Sequence, residues 1–199
     1  MHIEAITHLS DSDPRLAKVI ERVGECLYRP TPTIKPFDSL VSAIIYQQLS
    51  GKAAGTIHQR FLDLYGGTTP EPKRVLETPD EDLRKAGISR QKLGYLKDLA
   101  AKFEGGIVPV DDLKELDDEA MVEALTTVKG IGRWTVQMFL IRLGRLNVLP
   151  DADLGIQKAI KEAYELDSLP APKEVVKIGA KWQPYCTIAS WYLWRSIDG

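Results

Sequence analysis

The chain has 199 residues, 44% hydrophobic and 27% charged, with 26 Lys and Arg against 28 Asp and Glu for a net charge of -2. That length suits one large domain or two small lobes with a real core, and no apolar run approaches the ~20 residues that would span a membrane. A pI near 6.0 argues against gripping a polyanion through a uniformly basic surface, so any nucleic-acid contact has to be local.

The opening MHIEAITHLSDSD has no basic region ahead of an apolar stretch and does not read as a signal peptide. It suggests a protein that works inside the cell. Leu16, Val19, Ile20, Val23 and Leu27 then recur at helical spacing and predict an N-terminal helix over 13–28. After the break Pro30-Thr31-Pro32, a second apolar face begins with Leu40, Val41, Ile44 and Ile45. Gly66-Gly67 to Pro72 punctuates the next stretch, and Leu93, Leu96, Leu99, Ala100 and Phe103 form a further helical face. Gly105-Gly106 to Pro109 and Leu169-Pro170-Ala171-Pro172 are later breaks, with 106–110 the one candidate for a short extended connection. No strand-length alternation recurs, so the expected fold is all-α, roughly ten helices with short loops.

Cys26 and Cys186 each fall in an apolar helical pattern without a CxxC spacing, and His2, His8 and His58 form no HExxH. They read as buried thiols and isolated histidines, not as a transition-metal site. The basic cluster Arg84, Lys85, Arg90 and Lys92, and the acidic residues Asp111-Asp112 and Glu115 to Glu119, read as solvated helix surface.

The segment from Leu125 to Val136 carries more information. A helix ending near Thr127 meets Gly130-Ile131-Gly132, and a second helix with Trp134, Phe139, Leu140 and Leu143 begins at once. Glycine lets backbone approach a ligand closely, and a helix start offers unpaired N–H groups and a positive dipole end. Such a turn suits a DNA phosphate. An ordinary αα-hairpin with a glycine turn has the same local pattern.

This hairpin, followed by Val148-Leu149-Pro150-Asp151-Ala152-Asp153-Leu154-Gly155, resembles the helix-hairpin-helix, Gly/Pro-rich loop and aspartate signature of the base-excision DNA glycosylases. The stretches Phe37 to Ala54, Ala86-Gly87-Ile88-Ser89 with Lys92, and Trp182 to Arg195 are similar, in order, to the 3-methyladenine DNA glycosylase II branch. With Phe37 so early, the chain resembles a compact form without that branch's N-terminal α/β domain. The resemblance implies a helix-hairpin-helix glycosylase fold of two helical lobes around an active-site cleft. One lobe covers approximately 30–110 with a plug loop; the other covers 111–199 plus the helix 13–28 and holds the hairpin and catalytic residue.

It also implies the roles. Asp153 matches the catalytic aspartate, which stabilises the oxocarbenium-like sugar and orients or deprotonates water; it equally suits an N-cap for the helix through Ile156 and Ile160. Asp151 is the rival carboxylate. Gln48, with Leu49 and Ser50, matches the residues that fill the hole left by a flipped base, although a helix-terminal Gln also makes local hydrogen bonds. Lys129, Gly130, Ile131, Gly132, Arg133 and Thr135 would hold a DNA phosphate, and the carbonyls of Thr126, Val128 and Ile131 a Na or K ion. No cofactor is required for catalysis.

Trp134 and Trp182 match aromatic pocket positions, with Met138 one turn on, while Trp191 and Trp194 fit the core of a closing helix. In members that also cut the backbone, a lysine stands where this chain has Trp134, so simple hydrolysis is implied. The expected partner is double-stranded DNA with damaged bases, met by a monomer without membrane contact, in the cytoplasm of a bacterium or the nucleus of a eukaryote. Alkylated purines, cationic and already good leaving groups, suit an aromatic pocket. The alternatives are a glycosylase for neutral deaminated or oxidised bases and a helix-hairpin-helix module that binds DNA without cutting it.

Overall fold

A computed structural model of the chain describes residues 2–31, 35–106 and 115–198. These residues form twelve α-helices and one short 3-10 turn, with no strand among them. In chain order the helices are α1 (Ile3–Ser12), α2 (Pro14–Val23), α3 (Pro36–Tyr46), α4 (Gly51–Asp63), α5 (Pro72–Glu77) and α6 (Asp80–Lys85). They continue as α7 (Arg90–Glu104), α8 (Asp118–Thr126), α9 (Arg133–Leu143), α10 (Leu154–Tyr164), α11 (Pro172–Gly179) and, after the 3-10 turn Ala180–Trp182, α12 (Cys186–Ile197). Beyond Gly106, the extended connection expected over 106–110 lies outside the described residues, as do Pro32 and Asp111-Asp112.

The all-helical reading holds, in more pieces than the periodicity suggests. Helices α5 and α6 have six residues each, too short to register as a periodic face. The N-terminal helix expected over 13–28 is instead α2, with a separate α1 before it. Asp13 takes an extended backbone (φ -144°) and its carboxylate accepts the Arg15 and Leu16 N–H groups. Pro14 follows at the first helical position, where it has no N–H to lose. Gly24 at φ 82° ends α2, so Leu27 is exposed and Cys26 is buried beyond the helix. Both thiols are buried, and burial pushes the Cys186 pKa up to about 12.

The chain divides into two compact units, one of residues 1–32 with 140–199 and the other of residues 33–139. The second thus contains the 125–136 hairpin, which the sequence grouping assigns to the C-terminal portion.

In the first unit α10 and α2 pack on α12, and α1 packs on α2 and the 3-10 turn. Leu9, Leu16, Ile156, Ile160, Trp182, Ile188 and Tyr192 fill the interior. Within it lies the Asp13 carboxylate, wholly buried. Besides capping α2, it accepts the Trp182 indole N–H at 2.7 Å, the Tyr164 hydroxyl and the Lys181 ammonium at 3.2 Å. Burial pushes its pKa up, but these donors outweigh it and hold the carboxyl below the ordinary range.

In the second unit α3, α5 and α6 pack against α7. Leu96, Leu99, Ala100 and Phe103 of α7 are buried with Phe37, Leu40, Ile44, Val75 and Leu83. Phe37 and Phe103 meet edge to face, 5.2 Å between centroids.

Asp13→Ala removes a helix cap and strands two buried donors, so it is expected to cost about 3–5 kcal/mol in urea unfolding at pH 7. Because the folded-state pKa is depressed, this stability is complete above the unfolded value of about 3.9 and lost as pH falls through the folded value. The wild type should therefore lose more stability than Asp13→Ala between pH 5 and strongly acid solution, measured by denaturant midpoints; equal losses would refute this assignment.

Candidate functional site

In the first unit the loop after Leu149 is closed by backbone bonds, Asp151 N–H to Leu149 O at 2.9 Å and Asp153 N–H to Pro150 O at 3.0 Å. It delivers Asp153, half-buried, to the N-cap of α10. One oxygen, Oδ1, accepts both the Ile156 N–H at 2.9 Å and the Trp194 indole N–H at 2.9 Å. The cap and the indole thus fix the carboxylate's orientation. A Cβ on Gly155 would lie 3.0 Å from Asp153 Oδ1 and 3.1 Å from the Trp194 ring, so glycine leaves room for this approach. Asp151, the rival, offers its backbone carbonyl to Gln157 Nε2 at 3.4 Å and caps no helix.

The tryptophans are not placed as the resemblance suggests. Trp182 is wholly buried with its N–H on Asp13, so it is a core residue and not the wall of an open pocket. Trp194, read as core, is the half-buried indole on Asp153. Trp191 is half-buried, with Tyr192 edge-on and the Arg195 guanidinium over its ring.

In the second unit α8 ends at Thr126 and α9 starts at Arg133. Between them Gly130 adopts φ 80°, and a Cβ there would sit 2.2 Å from the Tyr95 ring. Only glycine tolerates both the conformation and the ring. The Gly130 carbonyl accepts Gln47 Nε2 at 2.8 Å, and the Lys129 N–H donates to Asp98 Oδ2 at 2.8 Å. Lys102 bonds that same oxygen at 2.9 Å and also the Thr127 carbonyl. Burial raises the Asp98 pKa, but the Lys129 N–H and the Lys102 ammonium bring it below its ordinary value.

Val128 and Ile131 are buried, Thr135 is half-buried, and the Lys129 side chain is largely exposed. The Arg133 guanidinium makes a bidentate pair with Glu119 at the surface, 2.7 Å at each bond. That bond holds the Glu119 carboxyl below its usual range. On α9, Trp134 is 47% exposed and Met138 is half-buried.

The α3–α4 turn carries the plug candidates. Gln48 is exposed and has φ 55°, in the left-handed region where non-glycine residues are uncommon. Its side chain makes no hydrogen bond among the described residues, which removes the local-bonding reading. Leu49 is 39% exposed, whereas Ser50 caps α4 by accepting the Ala53 N–H at 3.4 Å. Lys92, read as surface charge, donates to the Ile45 and Gln47 carbonyls at 2.7 Å each.

Residues 41–184 match the model of the HhH-GPD superfamily base excision DNA repair proteins. The chain belongs to this superfamily. The alkylbase DNA glycosidase-like protein mag2 of Schizosaccharomyces pombe is 33% identical over 192 residues, 94% of this chain and 90% of that protein. The structure of the 3-methyladenine DNA glycosylase Mag1 of the same organism in complex with abasic DNA matches with a TM-score of 0.83 at 35% identity, over 96% of this chain and 95% of that one. A DNA-3-methyladenine glycosidase from Bacillus halodurans matches with a TM-score of 0.86 at 38% identity, over 96% and 87%.

The HhH-GPD match ends ten residues before Trp194 (194 minus 184), so the superfamily pattern gives no sign of the indole that holds Asp153. Among the described residues no helix is long and apolar enough to cross a membrane, and no cluster of His, Cys, Asp and Glu could hold a metal ion.

Gly130→Ala is expected to destabilise the protein by about 2–4 kcal/mol, from the positive φ plus the ring overlap. In a Tyr95→Ala background the overlap disappears and the cost should fall by at least about 1 kcal/mol. A double-mutant cycle in urea checks this; strict additivity would show that the ring does not constrain the turn.

Proposed function

We propose that this chain is a monofunctional DNA glycosylase that flips alkylated purines of the 3-methyladenine and 7-methylguanine class out of duplex DNA and hydrolyses their N-glycosidic bond, in base-excision repair. The observation that carries this reading is the Asp153 carboxylate, fixed at the start of α10 by the Ile156 N–H and the Trp194 indole. As the base departs, positive charge builds on the sugar, and a preoriented carboxylate stabilises that charge without reorganising. Asp153 also orients or deprotonates the attacking water. Trp134 stands where a Schiff-base lysine would be needed for backbone cutting, so water is the nucleophile and the product is an abasic site with a free base.

The substrate class follows from charge. Alkylation at N3 or N7 makes a purine cationic, and an aromatic face favours a cation by about 0.5–2 kcal/mol per ring. The exposed Trp134, with Met138 one turn on along α9, supports such a pocket. The names of the relatives, DNA-3-methyladenine glycosidases and glycosylases, support the same class.

The grip on DNA is local, as a chain of net charge -2 requires: N–H groups at the start of α9, Lys129, and Gln48 with Leu49 entering the space left by the flipped base. The carbonyls of Thr126, Val128 and Ile131 would hold a Na or K ion. Three neutral oxygens without a carboxylate fit a singly charged ion better than a divalent one, and Val128 O, which takes the Ile131 N–H at 3.1 Å, keeps a second lone pair. When bound, the ion supplies positive charge to a phosphate. The chemical step draws on no cofactor.

Asp153→Asn keeps the shape and the Oδ1 acceptor but removes the charge. Base release from methylated duplex DNA should fall by about 100-fold or more, with binding to an abasic-site duplex retained. Release at the wild-type rate would overturn the role of Asp153. Binding without release by the wild type from any methylated duplex would establish the non-catalytic module instead.

A further inference from the structure

Lys92 lies in the first turn of α7, within a run of basic residues whose composition suggests a solvated surface. Its ammonium instead folds under the end of α3 and donates to Ile45 O and Gln47 O, 2.7 Å each. Burial lowers its pKa accordingly. These carbonyls belong to the last turn and the cap of α3, where a helix runs out of N–H partners. The next residue, Gln48, enters the left-handed region, which a non-glycine side chain adopts when its surroundings impose it. Leu49 follows, and Ser50 then starts α4 as its cap.

The same face of α7 continues to the hairpin. Positions 92, 95, 98 and 102 recur at three- and four-residue spacing along one side of a helix. Tyr95 packs on Gly130, Asp98 accepts the Lys129 N–H, and Lys102 bonds the Thr127 carbonyl. Gln47 closes the loop by donating to Gly130 O at 2.8 Å.

We propose that Lys92 is the positioning residue of the plug: by holding the two carbonyls at the exit of α3 it sets the turn that presents Gln48 and Leu49, in one register with the hairpin carried by the same helix. The phosphate grip thereby fixes where the plug enters the duplex. The inference rests on the reading of Gln48 as the plug.

The structure supplies an internal control. Lys97, also on α7, donates to Leu76 O at 2.9 Å and Thr78 O at 2.7 Å at the end of α5. It bridges two carbonyls at a helix end as Lys92 does, with an added ion pair to Asp80 at 3.3 Å, and has no plug to position. At saturating enzyme, base release from a duplex carrying one 7-methylguanine should fall about tenfold or more in Gln48→Ala and in Lys92→Met, and stay within about twofold of wild type in Lys97→Met. Fluorescence of 2-aminopurine opposite an abasic-site analogue, which reports unstacking by an inserted side chain, should be lost in the first two variants and kept in the third.

Lys92→Met with both signals intact, while Gln48→Ala loses them, overturns the positioning role. So does an equal loss in Lys97→Met, which would mark a general effect of stability. Wild-type signals in Gln48→Ala overturn the plug reading itself. If Lys92→Met does not fold, Lys92→Arg, which keeps donors but alters their reach, is read by the same criteria.

Discussion

The buried Asp13 carboxylate is the interaction on which the first unit depends. A charge with no exposure is tolerated only when donors surround it, and here they come from three places: the backbone of α2, Tyr164 at the last position of α10, and the Lys181–Trp182 turn ahead of α12. Helix α10 is thus held at both ends. Tyr164 fixes its C-terminus to Asp13, and Asp153 fixes its N-terminus to Trp194 of α12. The candidate catalytic carboxylate thus caps a helix whose other end is bonded to the Asp13 network.

The second unit uses a different device. Its brace is one face of α7, which meets a helix end and a glycine turn through backbone groups that no helix of their own can satisfy. Side chains supply the missing partners: Lys92 for two carbonyls, Asp98 for an N–H, Lys102 for a carbonyl. Irregular backbone at the turn thereby has its polar groups paired. Lys102 and Lys129 both pair with Asp98, and Arg133 pairs with Glu119.

The sequence by itself determined the features whose causes lie within a few residues. The helical spacing, Gly130 in its turn and the cap at Asp153 follow from i to i+4 relations or from a backbone conformation only certain residues accept, whereas the preference for Asp153 over Asp151 and the choice of Gln48 rest on the family resemblance. Even there a local signal was missed, since Asp13-Pro14 is a cap followed by a first-position proline and divides the expected N-terminal segment in two. Tertiary structure alone decided which tryptophan bonds Asp153 and which acceptors the basic residues take. Trp182 and Trp194 sit in the same closing segment, yet one finds a partner 169 residues away and the other 41 residues away. Lys92 reaches back 45 and 47 residues, and Arg133 pairs at the surface with Glu119, 14 residues back. A long side chain or an indole N–H takes whichever acceptor the packing brings within 3 Å, and that acceptor leaves no mark in the sequence beside the donor.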